Sequence, residues 1–307
     1  MFTYSGLELK LKENNIGRSD LTKILGLSSR TVAKIGKGEK LSKKVMEKLS
    51  AYFGCEPDQL CREISSNPIL QSLRDEKQIR LSGGLYHELQ VRMTYNSNHI
   101  EGSRLTEDQT RLIFETNTLN VGDGVLVDDI LETVHHFRAI DYVIDTADEE
   151  LSEDIIKELH YILKHDTKDS TLEWFVVGGY KKRPNMVGGH ETTKPEEVEA
   201  QMKKLLEKYN AKSEKTIKDI IAFHADFEMI HPFQDGNGRV GRLVALKECL
   251  RFNILPFIIE DSKKAYYYRG LSEWNHEKGW LIDTCLDGQD VFKKLIEQFE
   301  IKGEKTL

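Results

Sequence analysis

The residues His231-Pro232-Phe233-Gln234-Asp235-Gly236-Asn237-Gly238-Arg239-Val240-Gly241-Arg242 decide how this chain is read. Ahead of them, Ile220, Phe223, Phe227 and Ile230 recur at helical spacing; behind them, Leu243, Leu246 and Leu250 do the same. The stretch is therefore a loop that opens a helix. A glycine-rich turn at a helix N-terminus exposes backbone N–H groups at the positive end of the helix dipole, which suits phosphate. Gly236 and Gly238 permit close backbone approach, and Asp235 supplies a hard oxygen suited to Mg²⁺. Arg239 and Arg242, three apart on the following helix, can neutralise phosphate charge. His231 can serve as a general base with a pKa near neutral. Together these groups point to phosphoryl-group chemistry. The competing reading is a turn stabilised by Asp235 and Asn237, with His231 packed and both arginines solvated.

Outward from this loop the chain reads as mainly α. Periodicity predicts helices over 70–92, 94–101, 106–115, 127–147, 152–165, 195–209, 214–230, 239–252, 263–276 and 280–300. Residues 173–189, EWFVVGGYKKRPNMVGG, break the pattern with aromatic and β-branched residues, glycines and a Lys-Arg-Pro turn, and predict a short hairpin. Ser65-Ser66-Asn67-Pro68 is the clear composition break, so a domain over 1–64 and a second over 65–307 are expected.

The chain has 307 residues, 39% hydrophobic and 31% charged, with a formal net charge of −7. That composition allows a real core and a mixed-sign surface, and it argues against a chain-wide nucleic-acid coat. No secretory signal and no run of about 18 apolar residues is present, so a cytoplasmic protein without membrane partners is expected. Cys55, Cys61, Cys249 and Cys285 show neither a CxxC pair nor zinc-like spacing and read as reduced thiols. The adjacent His135 and His136 point to different helix faces and make no ligand pair.

Residues 1–63 carry a local excess of four positive charges. Ser19 can cap a helix from Asp20 to Leu25, Gly26 stops it, and Ser28 caps the next through Ile35; Leu41 to Phe53 follows as a third helix. The segment DLTKILGLSSRTVAKIGKGEKLSKKVMEKLSAYFGCEPDQL resembles the helix-turn-helix domains of the Cro and phage-repressor type. That resemblance implies DNA contact through Ser28, Ser29, Arg30, Thr31 and Lys34 on the second helix. A small helical bundle used for protein contacts is the alternative.

HPFQDGNGRVGR fits the signature HPFxDGNGRxGR of the Fic (filamentation induced by cAMP) family at every fixed position. The resemblance extends from about residue 70 to 290 and implies a helical Fic core with a hairpin flap, in a bacterial, ATP-using, Mg²⁺-dependent protein adenylyltransferase. It implies that His231 deprotonates the target hydroxyl, Asp235 holds Mg²⁺, and Gly236, Asn237 and Gly238 cradle the α- and β-phosphates. The resemblance further implies that Arg239 and Arg242 bind the β- and γ-phosphates and that Phe233 anchors the loop. The relative that phosphorylates elongation factor has lysine where this chain has Gly238, which favours nucleotidyl transfer over kinase chemistry. The flap is expected over Arg183–His190, with Val187, Gly188, Gly189 and His190 docking the target as an added strand. Tyr268 and Asn275, seven apart on one helical face, resemble the segment that contacts adenosine.

Ser97-Asn98-His99-Ile100-Glu101-Gly102 resembles the family's inhibitory pattern, on a helix expected over about 94–102. Ser97, Glu101 and Gly102 carry it, and Glu101 is expected to pair with Arg242 and withhold it from the γ-phosphate. In some relatives the same glutamate positions water to remove AMP, so a reverse reaction is included in the expectation. The partners implied are ATP, a target protein or the chain itself, DNA through the N-terminal domain, and a second copy as a homodimer. The alternative function is a DNA-binding regulator whose Fic domain senses nucleotide.

Overall fold

A computed structural model describes residues 2–63, 67–120 and 124–301, and the chain divides into two compact units, Met1–Ser66 and Asn67–Leu307. Ser65 and Ser66, the turn expected at the boundary, lie outside the described residues.

The first unit is a small helical bundle. Strand β1 (Phe2–Thr3) pairs antiparallel with β2 (Arg62–Glu63), Phe2 opposite Glu63, and so joins the two ends of the unit. Between them run α1 (Ser5–Glu13), α2 (Leu21–Ile24), α3 (Ser29–Gly36), α4 (Lys43–Phe53) and α5 (Pro57–Leu60). Leu7, Leu21, Leu49 and Leu60 are buried at its centre. Ser28 caps α3 as expected, its Oγ accepting the Thr31 N–H at 3.1 Å. The expected Ser19 cap is corrected: residues Arg18–Asp20 form a 3₁₀ turn, and it is Asp20 that accepts the Gly17 N–H at 2.9 Å.

The second unit consists of α6 (Pro68–Ile79), α7 (Leu85–Ile100), α8 (Glu107–Thr116), α9 (Val127–Asp145), α10 (Glu153–Lys164), α11 (Pro195–Asn210), α12 (Ile217–Ile230), α13 (Asn237–Arg251), α14 (Lys264–Ser272) and α15 (Gly279–Gln298). The helix expected over 70–92 is two helices, because Arg80 turns left-handed and Ser82-Gly83-Gly84 interrupts the ladder. The expected 94–101 helix is instead the last turns of α7. The hairpin expected over 173–189 is shorter: only β3 (Met186–Val187) and β4 (His190–Glu191) pair. Residues 173–180 form turns instead, with Phe175 buried.

The largest core lies among α6, α7, α9, α10, α11, α12, α13 and α15, with Leu70, Leu89, Ile140, Leu159, Phe227 and Leu243 fully buried. At its centre sits α13, whose residues from Val240 to Leu250 are all buried. It nevertheless carries Arg239, Arg242, Lys247 and Glu248 inside the protein. Buried charge is very costly unless paired, so the partners of these side chains shape everything around the helix. Among the described residues, no helix is long and apolar enough to cross a membrane.

Candidate active site

α12 ends at Ile230, and His231 caps it in a left-handed conformation, φ +52° and ψ +61°. The chain turns there into the loop that starts α13. Asn237 locks this loop: its Oδ1 accepts the Phe233 N–H at 2.8 Å and its Nδ2 donates to Phe233 O at 2.9 Å. The buried Asn237 side chain is committed to the turn, which leaves its backbone N–H as the group that faces outward at the start of α13. Phe233 is fully buried and lies flat on His160, ring centres 4.0 Å apart and planes 2° apart. Gly236 takes φ +81° as the cap of α13, and the first amides of a helix have no intrahelical partner. An anion nest therefore opens beside His231 and Asp235.

Asp235 and Arg239 belong to one ionic lattice. Lys164 Nζ donates to Asp235 Oδ2 at 2.7 Å and to Glu132 Oε1 at 2.7 Å, while Arg239 pairs with Glu132 Oε2 at 2.5 Å and with Asp235 Oδ2 at 3.3 Å. Burial opposes the charge of Asp235, but Arg239 and Lys164 outweigh it and hold the carboxyl well below the usual carboxylate range. Its side chain is 50% exposed. An ionised, half-exposed carboxylate beside a phosphate nest fits a Mg²⁺ whose other ligands come from phosphates and water. Among the described residues no cluster of three or more His, Cys, Asp and Glu side chains offers a cage for a metal ion.

His231 departs from expectation. Burial, reinforced by the Lys181 cation, pulls its pKa down to about 4 rather than leaving it near neutral. The imidazole is neutral at pH 7, the form that accepts a proton.

Every nitrogen of the Arg242 guanidinium has a partner. Nε donates to Ser97 Oγ at 2.9 Å, Nη2 to Ser97 O at 2.9 Å and to Glu101 Oε1 at 2.7 Å, and Nη1 to the Tyr267 hydroxyl at 3.4 Å. Ser97 and Glu101, four apart on α7 and its C-cap, thus converge on one arginine. Gly102 follows with φ +101°, a conformation that L side chains rarely adopt. A Cβ on Gly238 would overlap Glu101 Oε1, the end of a flexible side chain, so any larger residue at 238 would displace that carboxylate oxygen.

Tyr268 and Asn275 do not share a helix face: α14 stops at Ser272, and Asn275 sits beyond it, exposed, its Nδ2 3.8 Å from Met229 sulfur. Tyr268 donates its hydroxyl to Ile100 O at 3.2 Å, next to Glu101. In the hairpin, Gly188 and Gly189 take φ +57° and +82°, the signs a two-residue type I′ turn requires. Val187 is exposed and paired with His190. In the first unit Ser28, Ser29 and Arg30 are exposed, while Thr31 and Lys34 are half-buried.

Sequence reading passed over Glu132, Lys164, Lys181 and Glu228. Each is a charge in a helical or turn pattern that no sequence motif singles out. Glu228 is the clearest case: burial raises its pKa to about 8, and it lies against Gly241 with His224.

Residues 150–249 match the Fic/DOC family model. Over those residues the chain is similar to the Fic/DOC family. Residues 7–64 match the Cro/C1-type HTH DNA-binding domain model. Among curated relatives, the protein adenylyltransferase Fic of Nematostella vectensis is 30% identical over 187 residues, 59% of this chain and 42% of that protein. That of Drosophila melanogaster is 29% identical over 183 residues, 58% of this chain and 36% of that protein. The chain thus matches less than half the length of these relatives. A Fic domain containing signalling protein from Bacteroides thetaiotaomicron superposes on this chain with TM-score 0.61 at 26% identity, covering 78% of this chain and 97% of its own. A Fic family protein from Desulfovibrio desulfuricans shares the fold, TM-score 0.58 at 19% identity, covering 79% and 78%.

Proposed function

We propose that this chain is an autoinhibited, Mg²⁺-dependent adenylyltransferase that moves AMP from ATP to a hydroxyl of a protein target or of itself. The observation that carries the reading is the arrangement at α13: His231, Asp235 and the glycine-rich turn meet at its start, and Arg242 within it is hydrogen-bonded to Ser97 and Glu101. The target oxygen attacks the α-phosphorus, its proton passes to the neutral His231 imidazole, and the bond to pyrophosphate breaks. Asp235 would hold a Mg²⁺ ion, which would supply positive charge at the leaving group. Gly236, Gly238 and the first amides of α13 orient the phosphates, and Arg239 and Arg242 neutralise them. Removal of AMP would use the same glutamate. The hairpin offers its exposed edge to an extended target segment. Tyr268 and Asn275 flank the nucleoside end.

α-Labelled ATP with Mg²⁺ should label the wild-type chain weakly, the Glu101→Gly variant about 5- to 150-fold more strongly, the span of ordinary coupling energies, and the Glu101→Gly/His231→Ala variant not at all. Equal labelling of wild type and Glu101→Gly would remove the inhibition. Labelling that survives loss of His231 would remove the base.

A DNA-binding regulator with a nucleotide-sensing Fic domain is the second reading. The exposed Ser28, Ser29 and Arg30 at the start of α3 favour it, and a DNA partner supports a cytoplasmic location.

A further inference from the structure

Lys181 is 3% exposed, an uncommon place for an ammonium group. Its partners are neutral oxygens in two places. At the hairpin, Nζ donates to Asn185 Oδ1 at 2.8 Å and to Thr192 Oγ1 at 2.6 Å, the residues that immediately flank β3 and β4. At the signature loop, Nζ reaches Ile230 O at 3.4 Å, and the Lys181 backbone N–H donates to Pro232 O at 2.9 Å. Ile230 and Pro232 are the two neighbours of His231. The seam continues through Asn185 Nδ2 to Phe233 O at 3.3 Å and Arg183 N–H to Gln234 Oε1 at 3.3 Å. A single buried side chain therefore holds both flanks of the hairpin and the carbonyl before a histidine in left-handed conformation.

We propose that Lys181 is a positioning residue that ties the target-docking hairpin to the His231 corner and keeps a cation beside the imidazole, so that target and base share one rigid frame. The inference rests on reading His231 as the base and the hairpin as the docking edge. The electrostatics agree with the geometry. Burial brings Lys181 down to about 8, which leaves it charged at pH 7. After burial, its charge is the largest influence holding His231 low; Asp235 and Glu101 act in the opposite direction.

The test uses the full chain without nucleotide, labelled at histidine and titrated by NMR, with the His231 signal identified by its loss in His231→Ala. Hydrogen exchange of the 185–192 amides is read in parallel. Lys181→Met removes both charge and hydrogen bonds; Lys181→Gln removes the charge and keeps an N–H donor on a side chain one atom shorter. Both variants should raise the His231 pKa by about one unit, the effect of deleting one nearby buried charge. Lys181→Met should speed exchange of the hairpin amides about fivefold or more, as expected when a local opening loses its tether, while Lys181→Gln should leave them protected. An unchanged His231 pKa in Lys181→Gln overturns the electrostatic role, and unchanged hairpin exchange in Lys181→Met overturns the tether. Should Lys181→Met fail to fold, the Lys181→Gln titration decides alone. Neither readout requires turnover, so a chain that transfers no AMP would still answer the question.

Discussion

Arg242 donates four hydrogen bonds inside the protein, one of them to Glu101, so the γ-phosphate contact proposed for it competes with that glutamate. A Cβ at residue 238 would push the Glu101 carboxylate from its present place. Gly238→Ala should therefore destabilise the chain more strongly when Glu101 is present than in a Glu101→Gly background. Denaturant unfolding of the four-member cycle should give a coupling of about 0.5–3 kcal/mol, the range for residues in contact. Additive effects would mean that residue 238 and Glu101 do not meet. The lattice on the other side of the loop makes a second demand. Lys164 is 2% exposed and bonded to Glu132 and Asp235. Removing one partner of a buried pair leaves uncompensated charge, so Lys164→Met should cost about 3–5 kcal/mol. A loss below about 1 kcal/mol, typical of exposed pairs, would place this lattice in solvent.

At the scale of elements, α7 carries Ser97 and its C-cap Glu101, the residues proposed as inhibitory, at its C-terminal end and is fastened elsewhere along its length. Glu88 binds Arg111 of α8, Oε1 to Nη1 at 2.6 Å and Oε2 to Nη2 at 3.2 Å, and it also accepts Arg92 Nε at 2.9 Å. The Arg111 hydrogen bonds, and then Arg92, pull the Glu88 pKa down to about 2 against burial. A depressed carboxyl pKa contributes stability that is present above the unfolded value, about 4.3, and is lost as pH falls through the folded one. Wild type should therefore melt above Glu88→Gln at pH 6, and the gap should close as pH drops from about 4.3 towards 2. A gap that stays constant with pH would show that the Glu88 charge does not hold α7 to α8.

At the scale of the whole molecule, each unit has its own apolar core, the first around Leu7, Leu21 and Leu49, the second around α13. Net charge divides between them with opposite signs, an excess of four positive charges in residues 1–63 against −7 for the whole chain. A DNA-binding first unit should show affinity that falls steeply with salt. Arg30→Ala should weaken retention of genomic fragments by roughly tenfold, the loss of about one strong contact. Salt-independent binding, or no binding at low salt in the wild-type chain, would assign the unit to protein contacts instead.

Local chemistry was legible wherever it is written in neighbouring residues. The glycines, Asp235, His231 and both arginines of the signature loop lie within twelve positions, and the helices of the Fic domain announce themselves by apolar period. The Ser97 and Glu101 pattern named its partner because both ends belong to recognisable stretches. Tertiary structure alone decided what buried charge requires. Glu132 and Lys164 become part of the site only when α9 and α10 fold against α13, and Lys181 only when the hairpin closes on the loop. The neutral state of His231 likewise comes from burial and from Lys181, a residue fifty positions away. Sequence spacing determines which groups share a turn or a face, whereas the dielectric around a group and the charge opposite it are set by packing.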